Sequence, residues 1–411
     1  MPEFLTLISP AEARTVLLSH LNISTVESES VGILHAINRV SAEEILAPHP
    51  LPSFTRSSVD GYAVKASDTF GATESMPAYM KVVGEVEMGA RPTQKVESGS
   101  ALLIHTGGML PDGADAVVML EYVQQTRDGE VEVSRPVAGG ENVIQVGEDV
   151  KEGELILEKG TRIRPSEIGG LAAFGISSLR VAKIITVGVI STGDEVVPIG
   201  AEMQMGQVRD INSYTLAALV ESRGALAKLY GIVPDRSEEL AALARNALQE
   251  CDLVLITAGS SASVRDMTAD VINRLGSPGV LVHGINTRPG KPTILGVCDG
   301  KAVIGLPGNP VSALVNGLLF VVPLIEKLSL QITHLPQASI RATLNVNLAS
   351  QAGREDWQPV RLVQKDSNWY AEPVFGKSNL IFTLSSADGL VCIPADSTGL
   401  SAGEQVDVYP S

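Results

Sequence analysis

Apolar and polar positions follow two different patterns in the first half of the chain. Ser9 and Pro10 precede an amphipathic run, which predicts an opening helix because serine caps helices and proline suits their first turn. From about Val59 to Ile163, short apolar runs alternate with Gly, Asp and Pro, and this predicts mainly β structure. Residues 127–129 read Arg-Asp-Gly between two such runs and predict a hairpin turn.

The pattern changes at Ile184, where continuous apolar strands begin to alternate with helical segments. Strands that are apolar on both faces are typical of a parallel sheet covered by helices. Ser237 is predicted to cap the second helix, and Gly276 to end the third. The predicted helices span residues 213–223, 237–249 and 268–275.

A predicted hairpin over residues 293–307 leads into a long apolar helix that opens at Asn309-Pro310 and runs to about Leu328. Its most apolar part has about fifteen residues, fewer than the roughly 20 of a membrane span, so we expect a buried core helix. Strand-length runs return after His334 and predict a small β-barrel or sandwich of ~75 residues.

Composition narrows the class of protein. The chain has 411 residues, 44% of them hydrophobic, which suggests about two to four domains. The formal charge of −16 opposes binding to nucleic acids and anionic membranes, so we expect neither partner. Three widely separated cysteines and the lack of an export signal at the N-terminus predict a reduced, cytoplasmic location.

Polar residues follow three of the predicted parallel strands, where open sheets bind their ligands. Hydroxyls and exposed N–H groups there suit a phosphate, and the acids suit Mg²⁺ bridging that phosphate. Ordinary turn and capping chemistry is the alternative explanation for each turn taken alone. The three strand ends are Ser191–Glu195, Asp235, and Thr257–Ser261 followed by Asp266.

Two later turns add a cation and an oxyanion site. Residues 288–292 place Lys291 in a rigid Pro-Gly turn, where its ammonium group can face an anion. Residues 305–312 end a strand and start a helix, with Asn309 as the predicted cap and N–H groups near Ser312 free. An ordinary, well-capped strand-to-helix connection is the alternative. Ser-His-Asp, HExxH, Walker A and GxGxxG patterns do not occur, which disfavours the chemistry that each supports.

Nine motifs, taken in order, resemble those of the molybdopterin molybdotransferase family, which includes bacterial MoeA and the gephyrin E domain. The resemblance extends over nearly the whole chain. The motifs are SSVDGYAV (57–64), HTGG (105–108), VVMLE (117–121), GEDV (147–150), STGDE (191–195), RDINS (209–213), GIVPD (231–235), PGKP (289–292) and GLPGNPVSA (305–313).

The resemblance implies a multidomain α/β plus β fold. Its expected parts are an elongated linker domain (1–50 and 145–180), an inserted β-rich domain (51–144), a MogA-like, mostly parallel α/β domain that binds molybdopterin (181–330) and a C-terminal β-barrel (331–411). It also implies a homodimer in which residues 57–64 of one subunit reach the α/β site of the other. Transient contacts with molybdopterin adenylyltransferase and molybdoenzymes are expected as well.

The activity implied by the resemblance is insertion of molybdenum from molybdate into adenylylated molybdopterin, with Mg²⁺-dependent release of AMP. Family motif positions give catalytic roles to Asp60, Glu195, Asp235, Asp266 and Lys291, and make Asp194, Asp235 and Asp266 the Mg²⁺ ligands. Lys291 and Ser312, with Pro292 and Pro307, would line a molybdate pocket. The residues expected to bind molybdopterin, AMP or molybdate are Thr106, Asp149, Ser191, Thr192, Gly193, Asp210, Asn212, Gly259, Ser261, Pro292, Pro307, Gly308, Asn309, Pro310 and Ser312.

Residues 257–267 depart from the related pattern, which has an acid at Val264, a glycine at Ser263 and an aromatic residue at Met267. Where the family usually has Met-Thr-Gly, this chain has a histidine at position 105. These changes leave two alternatives to a divergent enzyme. One is a non-catalytic protein that binds or delivers molybdopterin, and the other is a nucleotide pyrophosphatase of the competence-damage type, against which the 57–64 and barrel segments argue.

Overall fold

The computed structural model describes residues 7–21, 27–126, 129–258, 262–332 and 339–410. The chain forms two compact units. The first comprises Met1–Glu43, Lys159–Ile168 and Ser178–Ser411, and the second comprises Glu44–Glu158 and Gly169–Ser177. Each unit is described by itself.

The chain opens with helix α1 (Pro10–Ser19), as the sequence predicts. A reciprocal capping box fixes its start, because Glu12 N donates to Ser9 Oγ (3.2 Å) and Ser9 N donates to Glu12 Oε2 (3.0 Å). Strand β1 (Ser28–Gly32) follows.

The second unit is mainly β structure. Its strands are β2 (Ile45–Leu46), β3 (Arg56–Ser57), β4 (Gly61–Val64), β5 (Ala78–Glu85), β6 (Ser100–Ile104), β7 (Ala116–Met119), β8 (Val123–Gln125), β9 (Glu130–Val133), β10 (Val143–Ile144) and β11 (Leu155–Leu157). Six of them form a sheet in the order β7-β4-β6-β5-β9-β8, and its core includes Tyr62, Met80 and Val118. β8 and β9 pair antiparallel as predicted, although Arg127 and Asp128 of the expected turn lie outside the described residues.

The α/β part of the first unit follows helix α2 (Pro165–Ala173). Its strands are β12 (Ser178–Ala182), β13 (Thr186–Thr192), β14 (Val196–Val197), β15 (Val208–Arg209), β16 (Leu226–Val233), β17 (Leu253–Ala258), β18 (Pro278–His283), β19 (Thr287–Arg288), β20 (Ile294–Cys298) and β21 (Lys301–Pro307). Its helices are α3 (Asn212–Ser222), α4 (Ser237–Glu250), α5 (Ala262–Leu275), α6 (Pro310–Asn316) and α7 (Val322–Leu328), with a π-helical turn Gly317–Val321 between the last two. β12 pairs antiparallel with β1.

The central sheet of this part has the order β16-β13-β17-β21-β20-β18. β16, β13, β17 and β21 are parallel, while β20 runs antiparallel to both of its neighbours. Successive residues of β17 alternate between two cores: Leu253 and Leu255 face α1, α3, α6 and α7, whereas Val254 and Ile256 face α4 and α5. Burial on both faces explains the continuous apolar strands of the sequence.

Two local predictions need correction. Ser237 does not cap α4, because the extended residue before the helix is Arg236, and Ser237 Oγ accepts a hydrogen bond from Arg274 Nη1 (3.1 Å) instead. Helix α5 begins at Ala262, before the predicted start at 268. The long apolar helix predicted from Asn309-Pro310 to about Leu328 is confirmed, because α6, the π-helical turn and α7 follow one another from Pro310 to Leu328. Of the described helices, only Pro310–Leu328 is long and apolar enough to cross a membrane, and most of it is buried in the protein core.

The C-terminal segment forms a closed barrel, which decides between the barrel and the sandwich of the sequence prediction. β24, β25, β22, β28 and β26 follow one another around it, and β26 pairs with β24 to close it. β19 adds to β24 in parallel, which attaches the loop after β18 to the barrel. The strands are β22 (Ile340–Leu344), β23 (Leu348–Ala349), β24 (Glu355–Lys365), β25 (Asn368–Pro373), β26 (Gly389–Ile393), β27 (Gly399–Leu400) and β28 (Gln405–Pro410), and helix α8 spans Phe382–Ser385.

Candidate functional site

A network of hydroxyls lies at the carboxyl end of β13. Ser191 Oγ donates to Asp210 Oδ1 (2.8 Å) and contacts Ser213 Oγ (2.9 Å) and Thr257 Oγ1 (3.0 Å). The backbone N–H of Ser213 donates to the same Asp210 oxygen (3.1 Å), which ties the start of α3 to the network. Because Asp210 is 6% exposed, its carboxylate depends on these donors. The strand ends therefore form a rigid polar floor.

A cleft of about 490 Å³ opens above this floor. Asn212 Nδ2 donates to Gly308 O (2.8 Å), which links the start of α3 to the turn after β21. The cleft brings together the predicted site residues Ser191, Thr192, Glu195, Asp210, Asn212, Gly308, Asn309 and Pro310. Arg209 of the RDINS motif also lines it, as do Met203, Gln207, Val208 and Asn379, which the sequence did not single out.

Carboxylates gather beside this cleft. Asp235 N lies 3.3 Å from Asp194 Oδ1, and burial, followed by the charges of Asp194 and Glu195, raises the pKa of Asp235. Asp235 Oδ1 and Thr192 Oγ1 are buried and have no hydrogen-bond partner among the described residues. Gly193 and Asp194 line a neighbouring cleft of about 500 Å³ that shares Asp210 with the first. Negative charge is thus concentrated here without a compensating partner on Asp235 Oδ1.

The acids fit Mg²⁺ only with help from a substrate. Among the described residues, no group of three or more His, Cys, Asp or Glu side chains is arranged to hold a metal ion. Mg²⁺ commonly uses one or two carboxylates and completes its shell with water and phosphate oxygens, which suits Asp194 and Asp235. Asp266 lies exposed on α5, while Gly259 and Ser261 lie outside the described residues. The three-acid metal site therefore stays a prediction.

A second cavity of about 490 Å³ lies between the α/β part and the barrel. It contains the predicted Lys291, Pro292, Pro307, Asn309 and Ser312. The barrel adds residues that the sequence analysis missed, namely Arg354, Trp357, Lys377 and Ser378. Arg288 also lines it and forms an ion pair with Asp356 (3.2 Å). Several cations converge here from segments that are distant in sequence, which suits an oxyanion.

The loop that carries Lys291 is held from below by the long helix. Asn316, which is fully buried, donates from Nδ2 to Ser312 O (2.7 Å) and Pro289 O (3.2 Å). Gly290 adopts φ +105°, and a Cβ there would lie 1.7 Å from the same Asn316 nitrogen. The close approach requires glycine, and it fixes the position of Lys291 relative to α6.

The two cavities meet at Asn309, which lines both. Asn309 precedes α6 and Pro310 is its first residue, as predicted, but the Asn309 side chain makes no capping bond. Its Nδ2 instead donates to Ser378 Oγ (3.2 Å), and Val311 N donates to Ser378 O (3.1 Å). The expected free N–H groups of this helix start are thus partly used to attach the barrel loop.

In the second unit, Asp60 directly precedes β4. Its Oδ1 accepts hydrogen bonds from Thr106 N (2.8 Å) and Thr106 Oγ1 (3.2 Å), and the backbone bond lowers the pKa of Asp60. Two of the predicted residues of this unit are therefore in contact. Asp149 lies apart in an exposed turn, where its N–H donates to Leu51 O (3.1 Å). Their approach to the α/β site stays a prediction.

Known protein families match nearly the whole length of the chain. Family models match the MoeA N-terminal region (domain I and II) over residues 8–175, a "Probable molybdopterin binding domain" over 188–327 and the MoeA C-terminal region (domain IV) over 341–411. The chain belongs to the MoeA family. The hydroxyl network lies in the segment that matches the "Probable molybdopterin binding domain" model, and the barrel residues Arg354 and Lys377 lie in the segment that matches domain IV.

Full-length relatives share this organisation. The molybdopterin molybdenumtransferase of Haemophilus influenzae is 33% identical over 97% of both chains. That of Bacillus subtilis is 30% identical over 93% of this chain and 89% of its own. The crystal structure of the molybdopterin biosynthesis MoeA protein from Pyrococcus horikoshii OT3 has a TM-score of 0.84 at 32% identity, covering 98% of this chain and all of that one. The predicted multidomain α/β plus β fold is confirmed.

Proposed function

We propose that this chain is a transferase of molybdenum cofactor biosynthesis, a molybdopterin molybdenumtransferase that moves molybdenum from molybdate to adenylylated molybdopterin and releases AMP. The observation that carries the proposal is the meeting of two cavities at Asn309. One is lined by hydroxyls, amides and a buried carboxylate, and the other by cations. The names of the full-length relatives agree with it.

The cationic cavity is proposed to hold molybdate. A tetrahedral dianion needs several donors at once, and Lys291, Arg354 and Lys377 line one cavity together with the hydroxyls of Ser312 and Ser378. Arg288 is partly neutralised by Asp356 and contributes less charge. Sharing Asn309 with the polar cleft keeps the oxyanion next to a second ligand.

The polar cleft is proposed to hold the pterin and nucleotide. Asp210 and Asn212 would face a flat, hydrogen-bonding ligand, while Thr192 and the turn 308–310 would offer donors to phosphate oxygens. Mg²⁺, when bound, screens the charge of the diphosphate during cleavage. Asp194 and Asp235 would hold it, with Glu195 nearby and Asp266 as a further ligand, and the unpartnered Asp235 Oδ1 supports this role.

The second unit is proposed to complete the site in a homodimer. Asp60 with its partner Thr106, and Asp149, would act at the α/β site of the other subunit. Upstream, the substrate would come from molybdopterin adenylyltransferase, and downstream the product would pass to molybdoenzymes. No nucleic acid or membrane takes part in this proposal.

Incubation of the purified protein with adenylylated molybdopterin, Mg²⁺ and molybdate tests the function. We expect AMP, measured by chromatography, to accumulate together with the ability to activate a molybdenum-free apoenzyme. Omission of Mg²⁺ should stop AMP release. Tight binding of the nucleotide without AMP would contradict the transferase and identify a binding or delivery protein, while AMP without apoenzyme activation would identify a pyrophosphatase.

A further inference from the structure

Three strand ends meet at one edge of the sheet in the second unit. β6 lies between β4 and β5, with Ile104 opposite Gly61 and Leu103 opposite Glu85. This register places Asp60 before β4, His105 after β6 and Glu85 at the end of β5 beside one another. His105 Nε2 lies 2.8 Å from Glu85 Oε1, and Nδ1 lies 3.6 Å from Asp60 Oδ1.

The two carboxylates determine the protonation of the ring between them. A neutral imidazole has one N–H, and the short contact to Glu85 uses it at Nε2. Nδ1 would then present a lone pair to the Asp60 carboxylate, which is repulsive. Only the doubly protonated ring satisfies both neighbours, and the hydrogen bond to Glu85, followed by the charges of Glu85 and Asp60, raises the pKa of His105.

Asp60 itself has little freedom. A Cβ at the next residue, Gly61, would lie 2.0 Å from Val118 O, so the backbone enters β4 at the closest possible approach. Leu120 N donates to Asp60 O (3.2 Å). The contacts of Thr106 and His105 with the side chain are all made to Oδ1, so Oδ2 is the oxygen left for a ligand.

We propose that His105, anchored by Glu85, is a positioning residue that holds the Asp60 carboxylate in its working orientation. The inference rests on the proposed function, because it needs Asp60 to act in molybdenum transfer. His105 does not touch the substrate in this role. It sets the rotamer of Asp60 and places a positive charge beside the carboxylate, so its loss should slow turnover more than it weakens binding.

The test compares kcat and KM for AMP release in four variants. We expect His105→Met to lower kcat about tenfold, the loss typical of an outer-shell partner, with KM changed less than about twofold. His105→Gln should recover part of kcat, because an amide can donate to one carboxylate. Glu85→Gln should also lower kcat, since it removes the negative charge that favours the doubly protonated ring of His105 without touching Asp60. Glu87→Gln, on an exposed acid just beyond the same strand, is the matched control and should behave as wild type.

A second measurement tests the contact between His105 and Glu85 independently of activity. Histidine side-chain NMR of the full chain should show His105 titrating above 6.5 in wild type and at a lower pH in Glu85→Gln. The inference would be overturned if His105→Met had the same kcat as wild type, or if only its KM rose. An absence of AMP release in wild type would instead overturn the proposed function, and the inference about Asp60 with it.

Discussion

Asp235 is a single residue at which the proposed acidic site lowers the stability of the folded protein. Its pKa is raised by burial and by Asp194 and Glu195, so the ionised side chain destabilises the folded protein above its ordinary pKa of 3.8. Asp235→Asn should therefore stabilise the protein at neutral pH, by about 0.5–2 kcal/mol, while stopping AMP release.

Chemical denaturation at several pH values checks this prediction. The stability gain of Asp235→Asn should shrink as the pH falls through the raised pKa of the folded state, and it should disappear below the ordinary value of 3.8, where the wild-type carboxyl is protonated in both states. Asp270→Asn, on an exposed acid of α5, serves as control. A destabilised Asp235→Asn protein would contradict the prediction, because it would show that the contacts of the carboxylate, such as that with the Thr192 hydroxyl, outweigh its burial and the neighbouring charges.

Lys291 allows a test of the proposed molybdate site in the cationic cavity. Lys291→Ala removes one charged donor from an oxyanion, a loss of about 1.5–3 kcal/mol, so the molybdate concentration for half-maximal activity should rise about tenfold or more. Lys327→Ala, which alters an exposed lysine at the end of α7, should leave it unchanged. An unaltered molybdate dependence in Lys291→Ala would place the oxyanion elsewhere.

At the scale of elements, the long helix supports the loop that carries Lys291 through Asn316. Asn316→Leu would remove this donor from the buried carbonyl group of Ser312 and the half-buried one of Pro289, which should cost about 1–3 kcal/mol of stability. Because the loop carrying Lys291 rests on this contact, the molybdate requirement should also rise. Calorimetry and molybdate titrations measure the two effects.

Within the same variant, AMP affinity provides the control. AMP binds on the other side of Asn309 in the proposed arrangement, so its affinity should stay within about twofold of wild type. Equal losses of AMP and molybdate binding would show that Asn316 supports the whole domain and not this loop.

The elements that the sequence predicted well are those with a local cause. β13 and β17 are mostly apolar and almost entirely buried because helices cover both faces of the sheet, and α1 begins where its capping box lies. The start of α5 was missed because residues 262–267 lack apolar periodicity. β19 could not be predicted, since a two-residue strand exists only through its pairing with β24, far along the chain.

Among the site residues, those with a local cause were likewise predictable from the sequence, and those placed by tertiary packing were not. Ser191, Asp210 and Asn212 stand directly at strand or helix ends, and the rule for open sheets pointed to that edge. Arg354 and Ser378 had no such signal, because they reach the cavity only when the barrel packs beside the α/β part. Side chains delivered by tertiary packing leave no local pattern to read.

At the scale of the whole molecule, the proposed homodimer predicts that two inactive variants recover AMP release when their subunits are mixed. If Asp60 of one subunit serves the Asp235 site of the other, Asp60→Asn and Asp235→Asn should each abolish activity alone. In a mixed dimer one site collects both substitutions and the other none. Random exchange of equal amounts should then restore about one quarter of wild-type AMP release, because half of the dimers are mixed and each has one intact site.

Unfolding and refolding the two variants together allows the exchange, and the same treatment applied to each alone is the control. Two further mixtures strengthen the argument. Asp194→Asn with Asp235→Asn should stay inactive, since both residues belong to the same unit and no site in a mixed dimer escapes substitution. Recovered activity in that mixture would point to another kind of subunit rearrangement. A lack of activity in the Asp60 and Asp235 mixture would mean that each chain builds its site from its own two units.

The second mixture combines wild type with a chain that carries both Asp60→Asn and Asp235→Asn. If the sites are shared, each site of a mixed dimer contains one substitution, and activity should fall to about one quarter. If the sites are not shared, each mixed dimer keeps one intact site, and activity should fall to about one half.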